Sequence, residues 1–179
     1  MRLGLVSDSH GLSDPALPGL LRGCDLILHA GDLAHLEVLD PLLAVAPVRA
    51  VRGNNDHGPG LRALPEVLRL ELAEVALLLL HELGAPAHLP PRPRQLVQAA
   101  RPQVVVYGHS HAPYAGLHDG VLYVNPGSAG PRRFSLPRSA GLLHLRAGHA
   151  RVELFDLAAA PPTLLRPALE VDLPAPPAR

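Results

Sequence analysis

The apolar residues of this chain come in short runs, and five of those runs stop at the same kind of residue. Residues 3–7 close on Asp8-Ser9-His10, 25–29 on Gly31-Asp32, 48–52 on Gly53-Asn54-Asn55-Asp56, 75–80 on His81, and 103–107 on Gly108-His109-Ser110-His111. Runs of this length suit buried strands. Between them lie stretches of helical composition. One follows the Asp14-Pro15 start signal to about Arg22, one spans 34–45, where Pro41 must kink the helix or open a new turn capped by Asp40, and one spans 92–101. Strand and helix in alternation predict a layered α/β domain.

The second half adds antiparallel signals. Strands at 67–73 and 75–81 leave room only for a tight turn near Glu74. Strands at 114–118 and 121–124 flank Asp119-Gly120, a strong hairpin signal, and two more at 140–146 and 150–155 flank Ala147-Gly148-His149. The expectation is mixed sheets with helices outside and polar clusters at strand ends, where open α/β sheets build their sites.

With 179 residues, 47% of them hydrophobic, the chain can bury one sizeable core. The predicted domain is 1–157. From Ala158 six of the last 22 residues are proline, which predicts an extension rather than a second domain. Its segment 163–173 is apolar enough to lie against the body or a second copy of the chain, so a homo-oligomer is compatible with it. All sixteen basic residues are arginine and are balanced by sixteen acidic ones, so charge gives no sign of a nucleic-acid-binding surface. The single Cys24 excludes an internal disulfide and fits a reducing compartment. The N-terminal apolar stretch is too short for a signal peptide, and the longest strongly apolar run, 75–80, is too short to span a membrane. The expectation is a cytoplasmic protein.

Asp8 and His10 are two residues apart in near-extended backbone, so both side chains project to one side and can share an ion. His109 and His111 repeat that spacing. Asp32 has two carboxylate oxygens with which to bridge two ions, Asn54 offers a neutral oxygen, and His81 a further imidazole. Carboxylates, imidazoles and an amide oxygen suit a pair of divalent transition metals, hence a two-metal hydrolase. Any one of these motifs alone is more often structural; five in order, each at a strand end, carry the reading. Ser7, Ser9 and Ser110 do not form a nucleophilic triad, because their histidine neighbours are taken by the metal reading. A lone structural zinc is disfavoured, since such sites are closed and often cysteine-rich.

The order Asp-x-His, Gly-Asp, Gly-Asn-x-Asp, His, Gly-His-x-His resembles the calcineurin-like metallophosphoesterase superfamily. Short length, Gly53-Asn54-Asn55-Asp56, and Asn125-Pro126-Gly127-Ser128 with Pro131-Arg132 make the chain similar to the small YfcE/MJ0936-type phosphodiesterases related to Vps29. The resemblance covers about residues 1–156. It implies a four-layer α/β/β/α sandwich with mixed β-sheets, one metal on Asp8, His10, Asp32 and His111, and a second on Asp32, Asn54, His81 and His109. Mn²⁺ is the implied metal, with Ni²⁺, Co²⁺, Fe and Zn²⁺ compatible. The implied reaction is hydrolysis of a small phosphodiester by a hydroxide bridging the two ions.

Asn54 and His57 are the candidate catalytic residues, and Asn55 and Arg132 the candidate substrate contacts. Asn55 replaces a histidine found in many larger relatives, so His57 is the candidate substitute acid. Glu82 stands where the family has glycine after its fourth-block histidine, which makes His88 an alternative to His81. His29 is expected behind the metal ligands or as a buried structural histidine. The competing readings are a Vps29-like protein-binding scaffold with vestigial metal sites, and a phosphomonoesterase or phosphoprotein phosphatase.

Overall fold

The computed structural model describes residues 1–175. Two mixed β-sheets lie face to face. The first runs in the order β11-β10-β9-β1-β2-β3, with β12 also on β10. Its strands are β1 Arg2–Val6, β2 Leu26–His29, β3 Val48–Ala50, β9 Ser139–Arg146, β10 His149–Asp156, β11 Thr163–Leu164 and β12 Leu169–Asp172. The second runs β4-β5-β6-β8-β7, with β4 Val67–Leu72, β5 Val75–Leu80, β6 Val104–Val106, β7 Tyr114–His118 and β8 Val121–Asn125. β1, β2 and β3 are parallel to one another, as are β5, β6 and β8; the hairpins are antiparallel.

The continuous apolar runs follow from this layering, because a strand covered on both faces needs apolar side chains on both. In β5, Leu77 and Leu79 point into the inter-sheet core with Leu3, Leu5 and Leu28, whereas Leu78 and Leu80 pack outward with Leu96 and Val97 of α3 (Pro91–Ala100). Ile27 and Val6 face the other outer layer, formed by α1 (Leu17–Leu20) and α2 (Asp40–Leu43). Truncating a fully buried leucine such as Leu79 to alanine costs about 2–5 kcal/mol in cores of this kind.

Two helices are shorter than the composition predicts. α1 keeps only Leu17–Leu20, because Pro18 lacks an N–H and Gly19 is a poor helix former. Asp14 starts the turn: its carboxylate accepts Ala16 N–H at 2.7 Å and pairs with Arg138. The 34–45 stretch divides at Pro41 into a 3₁₀ turn, Leu36–Leu39, and α2.

The proline-rich stretch beyond Ala158 contributes β11 and β12, both paired with β10, and Leu173 is buried beside the inter-sheet core. Residues 176–179 of that stretch lie outside the described residues. No helix among the described residues is long and apolar enough to cross a membrane. The loops after β1, β2, β3, β5 and β6 converge, and they carry the polar motifs.

Candidate metal centre

Each ligand loop is held by its neighbours. The Asp8 N–H donates to Gly31 O at 2.9 Å and the His10 N–H to Asp32 O at 3.0 Å, which zips the loop after β1 to the loop after β2. His29, fully buried, adds a second tie: its Nδ1 accepts Gly31 N–H at 3.2 Å, so Nε2 carries the proton donated to Ser9 Oγ at 2.8 Å. Burial, the largest influence, pushes its pKa down to about 4 and keeps it neutral. The loops approach so closely that a Cβ at Gly53 would collide with Asp32, and one at Gly108 with Ser7 and Asp8.

Asp56 makes the largest single contribution to this arrangement, and sequence reasoning assigned it no role. Its buried carboxylate accepts N–H groups of Asp32 at 2.9 Å, Leu33 at 2.8 Å, Ala34 at 3.1 Å and Gly53 at 2.7 Å. It therefore anchors the Gly-Asp loop to the Gly-Asn-Asn-Asp loop. Its place at the end of a turn motif was the available signal.

Five ligand candidates occupy the left-handed backbone region: Asp8 (φ 53°), His10 (44°), Asp32 (57°), His109 (68°) and His111 (58°). A non-glycine residue in a sparsely populated backbone region costs about 1–3 kcal/mol and persists where its surroundings over-determine it. Here the interloop bonds supply that determination, and the strain turns side chains from separate strands toward one point.

Asp8 Oδ2 accepts Ser7 Oγ–H at 2.6 Å and His109 N–H at 3.0 Å. Its other oxygen, Oδ1, is buried without a hydrogen-bond partner although His111 Nε2 lies 3.2 Å away. His111 Nε2 in turn faces His10 Nε2 at 3.1 Å. A buried unsatisfied carboxylate oxygen facing two ring nitrogens is costly as it stands and suits a bound cation. Asp8, His10 and His111 hold their donor atoms within 4.8 Å of one another, and so do Asp8, Asp32 and His81.

The second cluster is similarly rich in acceptors. His81 Nδ1–H donates to Ala30 O at 2.7 Å, which fixes the tautomer and presents Nε2 to Asn54 Oδ1 at 3.0 Å and Asp32 Oδ1 at 3.5 Å. His109 Nδ1 lies 2.9 Å from the same Asn54 oxygen. Asp32 faces both clusters, Oδ2 lying 3.8 Å from His10 Nε2 and Oδ1 toward His81. The residues present thus fit two divalent cations.

The charges agree. Burial opposes ionisation of Asp8, but the His111 ring beside it, the charge of His81 and the Ser7 hydroxyl hold its carboxyl below the usual range. Asp32 is likewise held well below it: burial is outweighed by His81 and by the hydrogen bonds from Asn55. For His81 burial is outweighed the other way, by Asp32 and Asp8, and the pKa rises. Burial, then the charge of Arg133, lowers that of His10.

The remaining sequence-predicted residues are spread around this centre. Asn55 is exposed, and its side-chain amide donates to Asp32 Oδ2 at 2.6 Å. Arg132 is exposed, and the guanidinium whose charge reaches His10 is that of its neighbour Arg133. Proline and glycine on the preceding turn left no sequence signal to choose between them. His57 is exposed and lines a groove with Asn54 and His81. Glu82 leaves His81 in place and turns toward His109 Nε2, 3.8 Å away, while His88 is exposed in a turn bonded to Ala85. Asn125 supports the Gly-His-Ser-His loop, donating to Gly108 O at 2.8 Å.

A two-sheet sandwich with carboxylates and imidazoles gathered at its strand ends defines a candidate metal-centre protein. The model of the calcineurin-like phosphoesterase superfamily domain matches residues 1–148, and the chain belongs to that family. It is 32% identical over 143 residues to a probable metallophosphoesterase of Methanothermobacter thermautotrophicus, covering 76% of this chain and 82% of that one. Its fold is similar to that of YfcE, a phosphoesterase from E. coli, with a TM-score of 0.71 at 24% identity over 97% of this chain and 100% of that one. Vps29 from Entamoeba histolytica, solved with Zn²⁺, gives a TM-score of 0.73 at 20% identity over 96% of this chain and 99% of that one.

Proposed function

We propose that this metallophosphoesterase is a phosphodiesterase working with two divalent metal ions, Mn²⁺ foremost. The observation that carries the reading is the position of Asp32, whose two oxygens face His10 on one side and His81 on the other. One ion is assigned to Asp8, His10, Asp32 and His111, the other to Asp32, Asn54, His81 and His109. When bound, such a pair supplies Lewis acidity toward a phosphoryl oxygen and makes water acidic enough to attack as hydroxide near neutral pH.

The chain's own groups do the rest. Asp56 anchors the backbone of Asp32, and Asn55 donates to both of its carboxylate oxygens and so orients them. Ala30 O takes the Nδ1 proton of His81, which leaves Nε2 as the ring nitrogen directed at the ion. Asn54 contributes an oxygen without adding negative charge, which leaves the site attractive to a phosphodiester anion. Arg133 adds positive charge beside His10. Among the described residues the nearby hydroxyls are engaged, Ser7 Oγ on Asp8 and Ser9 Oγ with His29, so direct attack by water is the consistent route. A small diester and a cytoplasmic setting remain part of this reading.

Metal analysis of the purified protein, together with hydrolysis of bis(4-nitrophenyl) phosphate after Mn²⁺ addition, tests it. Two ions per chain and Mn²⁺-dependent release of nitrophenol are expected. Hydrolysis of 4-nitrophenyl phosphate alone would favour a monoesterase. Protein that takes up no metal would favour the scaffold reading, which the likeness to Vps29 keeps open.

A further inference from the structure

A groove of about 680 Å³ leads away from Asn54, His81 and His109, between the loop after β3 and the start of α3. That is the size of a site for a small organic ligand. Its lining includes the apolar Leu80, Leu83 and Leu96 and the basic Arg52, Arg62 and Arg92. Glu66 pairs with Arg52 and Arg92 together, so one carboxylate neutralises only one of two guanidinium charges. Arg62 has no ion-pair or hydrogen-bond partner for its guanidinium among the described residues. Its backbone is anchored by the buried Leu61 beside it and by its own N–H bond to Gly58 O at 3.3 Å. The other acids on the groove are occupied: Asp56 by four backbone N–H groups, and Glu82 near His109 at the metal end.

We propose that this groove binds one ester arm of the phosphodiester, and that Arg62 recognises a second phosphate on that arm. The inference rests on the phosphodiesterase reading. Continuity with Asn54, His81 and His109 places a diester phosphorus at one end. The apolar lining accepts a ring system, and the unpaired guanidinium of Arg62 matches a phosphate through its planar fork of N–H donors. A nucleotide-like arm carries those groups: scissile phosphate, ring, second phosphate.

The test compares metal-loaded wild type and Arg62→Ala on thymidine 5′-(4-nitrophenyl phosphate) and its 3′-phosphorylated analogue, which share one leaving group. The 3′-phosphate should lower KM by about tenfold or more in wild type, and that ratio should collapse toward one in Arg62→Ala. A calorimetric titration of metal-free protein with thymidine 3′,5′-bisphosphate is the second readout, with binding expected to weaken about tenfold in the variant. Hydrolysis of both diesters with no 3′-phosphate advantage, or with an advantage that survives in Arg62→Ala, overturns the subsite alone. Arg62-dependent bisphosphate binding without hydrolysis of any diester supports the subsite and overturns the phosphodiesterase reading. Neither binding nor hydrolysis overturns both.

Discussion

Asn55 holds both oxygens of Asp32, its backbone N–H donating to Oδ1 at 2.9 Å and its side-chain amide to Oδ2 at 2.6 Å. A carboxylate gripped in this way is oriented before any cation arrives, and each oxygen keeps lone-pair capacity for the centre.

Asp32→Asn would place an amide NH₂ against the donors of Asn55 and remove the charge shared by the two clusters. Metal content should fall below two per chain, and turnover of bis(4-nitrophenyl) phosphate by about 10³-fold, the scale of several kcal/mol of lost metal stabilisation. Elemental analysis and steady-state kinetics measure both. Two retained ions with near-normal turnover would remove the bridging assignment. By the same reasoning, His111→Ala and Asn54→Ala should impair different ions.

Since the Asn55 amide is engaged on Asp32, it cannot protonate a departing oxygen. General acid catalysis contributes about 10²–10⁴ in rate, most for basic leaving groups. Rates should therefore fall steeply as leaving-group pKa rises across a series of substituted phenyl diesters. A flat series that becomes steep in His57→Ala would make His57 the acid instead. Asn55→Ala should weaken metal affinity by about 10–100-fold, the usual effect of losing a group that orients a ligand.

Asp56→Ala leaves four backbone N–H groups without their carboxylate. A loss of about 3 kcal/mol or more in folding stability is expected, since hydrogen bonds to a charged group are worth roughly 1.5–3 kcal/mol each. Urea unfolding of chelator-treated protein measures it. A change under about 1 kcal/mol would mean the loops hold without this anchor.

His29 makes stability depend on pH. Its folded pKa of about 4 lies below the ordinary 6.5, so the unfolded chain binds the extra proton between those values. Stability is accordingly lost as pH falls from 6.5 toward 4, by about 3 kcal/mol for this group alone. Metal-free wild type and His29→Gln, unfolded in urea across that range, should differ in slope by about one proton. Parallel profiles would contradict it.

Deletion of the residues after Leu157 uncovers the edge of β10 and removes Leu173 from the inter-sheet core. Folding stability should drop by about 2–5 kcal/mol, on the scale of truncating large core side chains, while metal content and kcat stay near wild type. Thermal melts and kinetics on the truncated chain separate the two effects. A truncated protein that keeps both metals and loses most of its kcat would tie the tail to catalysis.

The chain by itself determined the layered α/β class, the positions of ten strands and the co-location of its polar motifs. Apolar period, run length and turn chemistry are local properties, written within a few residues of where they act. Local composition overstated α1, because Pro18 and Gly19 inside that segment outweighed its general helical character, whereas the break of the 34–45 stretch at Pro41 was legible in the sequence. Only the tertiary structure decided that Asn55 grips Asp32, that Asp56 joins two loops, and that β11 and β12 complete a sheet. Each of these depends on where the chain returns in space. His10 meets His111 across 101 residues of sequence, and the left-handed backbone that aims them is imposed by neighbouring loops against the preference of either residue.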